Sequence, residues 1–168
     1  MVVCNHLKCG SMKLTPGQVQ SLLGLSRATY RHWKDALPPL EGRNGHTQCF
    51  SLGDLFAMAL IKAMTDDAGL RVGALHAISA TLFAQCGNQS WAGLERSSLV
   101  VELPLVRVEF ISESQVPQFN GIGILVPCAP IVAELRERLL MSQEEPDQGN
   151  LHLAPTIVAS DARGRRVS

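Results

Sequence analysis

This chain lacks an excess of charge of either sign, and it lacks any long hydrophobic run. Its 15 Lys and Arg residues balance 15 Asp and Glu residues, so the formal net charge is zero. Neutrality argues against loose, charge-driven coating of nucleic acid, although a local basic patch remains compatible with a specific site. No apolar run approaches the roughly 20 residues that a membrane helix needs, and the first residues lack the apolar core of a secretion signal. We therefore expect a cytoplasmic protein with no membrane partner.

Catalytic and metal-binding patterns are also scarce. No Ser, His and Asp stand in a nucleophile-elbow motif, and the histidines are scattered along the chain, so neither an enzyme nor a cofactor is expected. Cys4, His6 and Cys9 carry groups that zinc accepts, but their spacing is loose and no second ligand pair follows, which argues against a metal site. The five cysteines are expected to be reduced thiols. Three of them lie in apolar stretches and should be buried: Cys49, Cys86 and Cys128.

Residues 14–36, LTPGQVQSLLGLSRATYRHWKDA, predict two short helices joined by a tight turn. Thr15 suits an N-cap, and Pro16 fits the first helical position, where its missing N–H costs nothing. Gly24 is expected to end this helix, and Ser26 to cap the next one after Leu25 fills the turn as a buried plug. The predicted inner face of the first helix is Val19, Leu22 and Leu23.

The second helix of this pair carries a polar surface. Its apolar side is expected to be Ala28, Trp33 and Leu37, and its outward side to be Arg27, Thr29, Tyr30, Arg31 and Lys34. Cations, a hydroxyl and a phenol on one helix face can hold phosphate oxygens and contact base edges in a major groove, and Ser26 at the start of the helix is expected to contact DNA as well. The segment alone is equally consistent with an ordinary solvated helix face.

The residues that follow favour DNA binding. Asn44-Gly45 is a strong hairpin signal because both residues tolerate positive φ, and it predicts a wing. We expect Arg43, Asn44 and His46 at its tip to contact flanking phosphates or the minor groove. Ser51 is then expected to cap a third helix that runs through Met64, and a fourth helix is predicted over residues 70–83. The predicted inner face of the fourth helix is Val72, Leu75, Ile78 and Leu82.

The order helix, turn, helix, hairpin, helix, helix resembles the winged DNA-binding domain of the MerR family of transcription regulators. The resemblance covers residues 12–83. It rests on the opening LTPGQVQSLLGLSRATYRHW, the Asn44-Gly45 wing, the aromatic-Ser-x-x-Asp-Leu step at Phe50, Ser51, Asp54 and Leu55, and the link at Asp67, Gly69 and Leu70. It implies a homodimer that binds an inverted repeat in double-stranded DNA and often distorts it, with RNA polymerase or another protein as a further partner.

The chain departs from the family within this domain. Ala28 stands where many members have a phosphate-binding Arg, and Gln48 and Cys49 stand where the wing of members usually has at least one Arg. The resemblance therefore implies that contact with the DNA backbone is weaker, or that it moves to Arg27 and Arg43.

After Phe83 the pattern leaves the family altogether. Glycines such as Gly87 and Gly93 interrupt the long dimer helix that members have, and no heptad run predicts a coiled coil. Residues 99–111 are rich in β-branched residues, which predicts one strand bent at Pro104 or two short strands. Residues 121–126 predict a buried strand. An amphipathic helix is predicted over residues 131–141, with Ile131, Leu135 and Leu139 on one face.

The predicted fold is α+β, a winged helix-turn-helix followed by a small β-β-α module. The expected divisions are a leader at 1–11, the DNA-binding domain at 12–83, a linker at 84–98, the module at 99–141 and a mostly disordered tail at 142–168. The module is too small to bury a good core alone, so it should pack on the first domain or dimerise. A dimer is expected to pair residues 99–105 and 151–158 across subunits and to place the Ile131, Leu135 and Leu139 face against its symmetry mate.

Three functions remain open at this point. The first is a sequence-specific transcription regulator that acts as a dimer. The second is an excisionase-type architectural protein, which acts on DNA shape. The third is an antitoxin or adaptor that holds a partner protein through its C-terminal module. A footprint on DNA separates the first two, since a single operator favours the regulator and an array at a recombination site favours the architectural protein. Co-purification with another protein favours the third.

Overall fold

The computed structural model describes residues 12–43, 47–103 and 105–144, with 143 and 144 described by their backbone alone. The described chain is α+β, as predicted, with helices and two small antiparallel sheets. Its elements are β1 (Lys13–Leu14), α1 (Pro16–Leu23), α2 (Arg27–Ala36), a first 3₁₀ helix (Pro38–Leu40), β2 (Phe50–Ser51), α3 (Leu52–Asp66), a second 3₁₀ helix (Val72–Leu75), α4 (His76–Asn88), α5 (Trp91–Glu95), β3 (Ser97–Glu102), β4 (Arg107–Ser112), β5 (Ile124–Pro127) and α6 (Cys128–Glu144).

Helices α1 and α2 begin and end where local signals place them. The Thr15 hydroxyl accepts from the Gln18 N–H at 3.2 Å, and the Gln18 side chain accepts from the Thr15 N–H at 2.9 Å, which fixes the start of α1. Gly24 ends α1 with a φ of 63°, a left-handed conformation that glycine adopts without strain. Ser26 caps α2 by accepting from the Thr29 N–H at 3.0 Å. The two helices are thus joined by a short turn, as the sequence predicts.

Helix α3 is the centre of the molecule, and most of its residues are buried. The Ser51 N–H donates to Asp54 Oδ2 at 2.8 Å, and the Asp54 N–H donates to Ser51 Oγ at 3.1 Å, so the predicted cap is confirmed. Gly53 lies against α4, because a Cβ placed there would stand 2.7 Å from the Gly87 Cα. Only a residue without a side chain permits this approach of the two helices.

The fourth helix begins later and runs further than the sequence predicts. The second 3₁₀ helix, Val72–Leu75, precedes α4, and α4 then continues to Asn88. The predicted inner face is confirmed, since these four side chains are buried: Val72, Leu75, Ile78 and Leu82. The segment predicted as a linker, 84–98, holds the end of α4, the short helix α5 and the start of β3.

The predicted wing hairpin differs from the pairing seen in the described residues. Strand β2 pairs with β1, in the register Lys13 to Ser51 and Leu14 to Phe50. The segment before Asn44 forms a 3₁₀ helix and a turn rather than a strand. The tip itself, residues 44–46, lies outside the described residues. The pairing therefore attaches the start of α3 to the strand that precedes α1.

The second sheet has the strand order β4-β3-β5, with both neighbours antiparallel to β3. Residues 99–111 were predicted to form either one bent strand or two short strands, and the structure shows two, β3 and β4. The strand predicted over 121–126 starts later, at Ile124, and of its four residues only Val126 is buried. Gly121 and Ile122 precede it in exposed positions. The module therefore has three strands before its helix, whereas the sequence predicted two.

Helix α6 packs on the same chain. Leu135 and Leu139 are buried in one core cluster that also contains Leu22 of α1 and Leu60 of α3. The Arg138 guanidinium donates to the carbonyl oxygen of Leu22 at 2.6 Å, at the last turn of α1. The expectation that this face of α6 meets a symmetry mate is wrong, because its own chain already covers Leu135 and Leu139. The expected pairing of residues 99–105 across subunits is also wrong, because β3 has a strand on each side.

Two further expectations concern residues that the structure does not describe. The leader, 1–11, and the tail from residue 145 onward, including 151–158, lie outside the described residues. Within the described ranges, no helix is both long enough and apolar enough to span a bilayer.

Candidate nucleic-acid interface

The exposed face of α2 is the candidate interface. Arg27, Thr29 and Arg31 are exposed, as predicted. Arg27 and Arg31 are four residues apart and therefore lie one turn apart on the same side of the helix. Lys34 is half-buried and lies one turn further on. Arg27 and Arg31 therefore present two guanidinium groups on one side of the helix near its N-terminus, whereas Thr29, two residues from each, is exposed on another side.

The structure corrects two assignments on this helix. Tyr30 was expected outside, but it is 7% exposed and belongs to the core. Ala28 was expected inside, but it is exposed. The buried stripe is Tyr30, Trp33 and Leu37, spaced three and four residues apart, which rotates the inner face away from Ala28. Tyr30 therefore anchors α2 to the molecule rather than extending from it.

The buried Tyr30 side chain connects α2 to the loop that follows the first 3₁₀ helix. Its hydroxyl donates to the carbonyl oxygen of Arg43 at 3.3 Å. Burial raises the pKa of Tyr30 above its ordinary value, and proximity to Cys49 raises it further, while the Arg43 guanidinium opposes both effects. The phenol therefore stays protonated over the neutral range and keeps its proton for this hydrogen bond.

Arg43 holds the base of the loop. Its guanidinium pairs with the Asp54 carboxylate at 3.0 Å and lies 4.9 Å from the ring centroid of Phe50. The same group donates to the Cys49 carbonyl oxygen at 3.4 Å. Arg43 was expected at the tip of a wing as a phosphate contact, but its side chain is 26% exposed and is directed into these interactions. It ties both ends of the loop to the start of α3.

The N-terminus of α2 is fixed by its own hydroxyl groups. Ser26 Oγ and Thr29 Oγ1 lie 2.8 Å apart and share a hydrogen bond, besides the cap that Ser26 provides to the Thr29 N–H. Leu25 in the turn is half-buried and packs against the core, so the predicted plug is only partly enclosed. The first turn of α2 is therefore capped by side chains of its own residues.

The C-terminus of α2 is also attached. The carbonyl oxygen of Ala36 accepts a hydrogen bond from His76 Nδ1 at 2.9 Å, which joins the end of α2 to the start of α4. Leu37 and Leu40 follow and are fully buried. Both ends of α2 are therefore held, and its exposed face has a fixed direction relative to α3 and α4.

Sequence reasoning missed one side chain on this surface. His32 is exposed and lines a cleft of about 380 Å³ between α2 and the end of α3, together with Thr29 and the Lys62–Asp66 ion pair. His32 stands three residues after Thr29 and one after Arg31. Helical spacing would have placed it here, once Tyr30 and Trp33 were recognised as the inward positions. It adds a further donor or acceptor beside Thr29.

The remaining candidate residues are not brought to this surface by the described structure. Asn44 and His46 lie outside the described residues, as do Cys4, His6 and Cys9. Cys86 and Cys128 are buried as expected, whereas Cys49 is half-buried. In the part of the chain that the structure describes, no three His, Cys, Asp or Glu side chains gather in a group that could hold a metal ion.

Comparisons with known proteins add nothing to this surface, since no family model, curated protein or solved structure matches the chain.

Proposed function

We propose that this protein is a sequence-specific regulator of transcription that binds double-stranded DNA with the exposed face of α2. The observation that carries the proposal is a short helix, hydrogen-bonded at both ends and buried along one side, that presents Arg27 and Arg31 together to solvent. Arginine is the side chain that most often contacts guanine edges in the major groove, and the same groups bind phosphate oxygens.

The setting of α2 supports the proposal. α1 precedes it across a turn at Gly24, the two 3₁₀ helices pack against it, and His76 of α4 binds its last turn. This order of two helices and a turn supports a helix-turn-helix whose second helix enters the groove. The likeness to the MerR winged domain makes the segment between the first 3₁₀ helix and β2 a second candidate contact with DNA. In our proposal Arg43 supports this segment rather than contacting phosphate, because it is paired with Asp54.

The test begins with selection of binding sites from randomised duplexes by the full chain. Arg27→Ala and Arg31→Ala should each weaken binding to the selected site by about 1–3 kcal/mol if the side chains contact bases, measured by fluorescence anisotropy. Arg96→Ala is the matched control, because it removes the same charge from an exposed arginine at the end of α5. Its affinity should equal that of the unaltered chain.

Two results would contradict the proposal. One is the absence of any enriched sequence after selection. The other is unchanged affinity of both α2 variants while their circular dichroism matches that of the unaltered chain. Mapping of bound sites in the native cell then separates regulation from DNA packaging, since a regulator occupies single promoter sites and an architectural protein occupies arrays.

A further inference from the structure

The second sheet carries a group of exposed apolar side chains. Eight large hydrophobic side chains are exposed among the described residues, and six of them fall within residues 105–125. Five of these form what we term the distal patch: Leu105, Val106, Phe119, Ile122 and Leu125. Single exposed apolar residues are ordinary on protein surfaces, but a group at one place indicates a contact surface.

The sheet has an inner side against the core and an outer side away from it. Leu99 and Val101 of β3 belong to the core cluster, so Val100 between them faces the outer side. Leu125 of β5 pairs with Val100 and therefore faces the outer side as well. Strands β4 and β5 lie on opposite sides of β3, so the loop 113–123 that joins them must cross the sheet.

Two hydrogen bonds hold this loop on the outer side. Glu102 follows Val100 by two residues in β3, and Arg107 pairs with Glu102, so both side chains face outward. The Glu102 carboxylate accepts from the Asn120 N–H at 2.6 Å. The Arg107 guanidinium donates to the carbonyl oxygen of Gln118 at 3.0 Å. The part of the loop that carries patch residues is therefore attached to the sheet.

The charges beside the patch are net negative. Arg107 pairs with Glu102 at 3.0 Å and also pairs with Glu109, so one guanidinium faces two carboxylates. Glu102 is 1% exposed, whereas the side chain of Glu109 is 47% exposed. A segment that covers this surface should therefore combine apolar side chains with positive charge.

The same chain holds a segment with both properties. Residues 151–158, LHLAPTIV, are mostly apolar, and the next eight residues hold one aspartate and three arginines: Arg163, Arg165 and Arg166. Alternate side chains of an extended strand fall on one side, and one such set in 151–158 is wholly apolar: Leu151, Leu153, Pro155 and Ile157. The proline is compatible with an edge strand, where a missing N–H breaks no ladder.

The chain is long enough for this contact. Strand β5 has four residues, and α6 follows it directly with 17. Their lengths are about 13 Å and 26 Å, so the end of α6 lies within about 40 Å of Ile124 at the start of β5. Residues 145–158 can extend over about 46–50 Å. The segment can therefore reach the patch of its own chain.

We infer that residues 151–158 dock on the distal patch of their own chain, as a further strand along the edge of β5. In the sheet that the structure describes, β5 is an edge strand, and it carries Leu125 of the patch. A tethered segment has an effective concentration of about millimolar, so a separate molecule at micromolar concentration would need about a thousandfold higher affinity for equal occupancy. The arginines that follow residue 158 then lie near the exposed carboxylate of Glu109.

The experiment measures hydrogen–deuterium exchange of the full chain by mass spectrometry, without DNA. Amides of residues 151–158 should exchange about tenfold more slowly than those of a free peptide of the same sequence, which corresponds to docking in about nine molecules of ten. Leu125→Glu and Ile122→Glu should each remove this protection, because each places a carboxylate in the contact. Val116→Glu is the matched control, since Val116 is 79% exposed on the same loop but outside the patch.

Ile157→Glu tests the contact from the other side. It should remove the protection of residues 151–158 and also speed exchange in residues 124–126, because the outward N–H groups of β5 lose their partners. This residue lies outside the described core, so the variant keeps the test valid if a patch variant fails to fold. Circular dichroism shows which variants are folded.

Each other result overturns the inference. Exchange of residues 151–158 at the rate of the free peptide shows that they do not dock. Protection that survives both patch substitutions, or that Val116→Glu removes equally, places the contact elsewhere. Protection that rises with protein concentration shows that a second copy occupies the patch. Because no DNA is present, the result is independent of whether Arg27 and Arg31 contact DNA.

Discussion

At the scale of single residues, α2 shows how one rotation of a helix changes a candidate site. Tyr30 and Trp33 are three residues apart and Trp33 and Leu37 are four apart, so they form one inward stripe. Ala28 and Trp33 are five residues apart, about 140° around a helix, so the two could not share one inward face. The large apolar area of a tyrosine ring favours burial, and its hydroxyl finds a partner in the Arg43 carbonyl. Because it is buried, Tyr30 holds α2 in place and does not form part of the exposed surface.

The first prediction at this scale concerns the titration of Tyr30. It is the only tyrosine in the chain, so the absorbance of tyrosinate reports on this residue alone. Its midpoint in the folded chain should lie above the ordinary value of 10.0, because burial disfavours the phenolate. In the chain unfolded by denaturant the midpoint should return to about 10. A folded midpoint at or below that of the unfolded chain would contradict the burial of this side chain.

The same shift makes stability depend on pH in the alkaline range. The folded state holds this proton more tightly than the unfolded state, so the contribution of Tyr30 is complete below pH 10 and is lost as the pH rises through the folded pKa. Tyr30→Phe should remove this part of the alkaline loss. At neutral pH it should cost about 0.5–1.5 kcal/mol for the hydrogen bond to Arg43, measured by urea unfolding.

At the scale of elements, the crossing of α3 and α4 depends on one glycine. Gly53→Ala would place a Cβ 2.7 Å from the Gly87 Cα and 2.9 Å from the Cys86 carbonyl oxygen. Backbone atoms cannot move aside as a flexible side chain can. We predict a loss of about 1–3 kcal/mol in the free energy of unfolding, although alanine favours a helix over glycine by about 1 kcal/mol.

Gly87→Ala provides the matched control for this prediction. It makes the same chemical change in the partner helix, but a Cβ at Gly87 would meet nothing within 4 Å. Its unfolding free energy should be unchanged or should rise by up to about 1 kcal/mol. Equal effects of the two substitutions would show that the helices do not cross at Gly53.

At the scale of the whole molecule, the N-terminal helices and the C-terminal strands and helix share one core. Leu135 of α6 is 2% exposed and belongs to the cluster that also contains Leu22, Trp33 and Leu99. Arg138 adds a polar contact, since it donates to the Leu22 carbonyl oxygen and pairs with Glu134. The helix pair that carries the candidate interface therefore depends on α6 for part of its support.

The prediction at this scale is that the described chain unfolds as one unit. Leu135→Ala should cost about 2–5 kcal/mol, because it leaves a cavity where α6 meets the shared core. Trp33 lies in α2 and Trp91 in α5, so tryptophan fluorescence reports on both parts of the core. For the Leu135→Ala variant, fluorescence and circular dichroism should follow one unfolding transition, at a lower temperature than in the unaltered chain. Leu140→Ala, in an exposed position on the same helix, should change stability by less than about 0.5 kcal/mol. Two separate transitions would contradict a shared core.

The sequence by itself determined the local features of this protein. Caps at Thr15, Ser26 and Ser51 and the stop at Gly24 are short-range hydrogen bonds and backbone preferences, so they follow from a few neighbouring residues. The presence of α1, α2, α3 and α6 followed from apolar spacing in the same way.

Only the tertiary structure decided which side of each element is covered and what covers it. The inward rotation of Tyr30, the ion pair of Arg43 with Asp54 and the pairing of β2 with β1 all join residues distant in the chain. The face of α6 was visible in the sequence, but an apolar stripe packs equally well on its own chain or on a partner. Its own chain covers that face here, because β5 leads directly into α6 and α6 packs against α1 and α3.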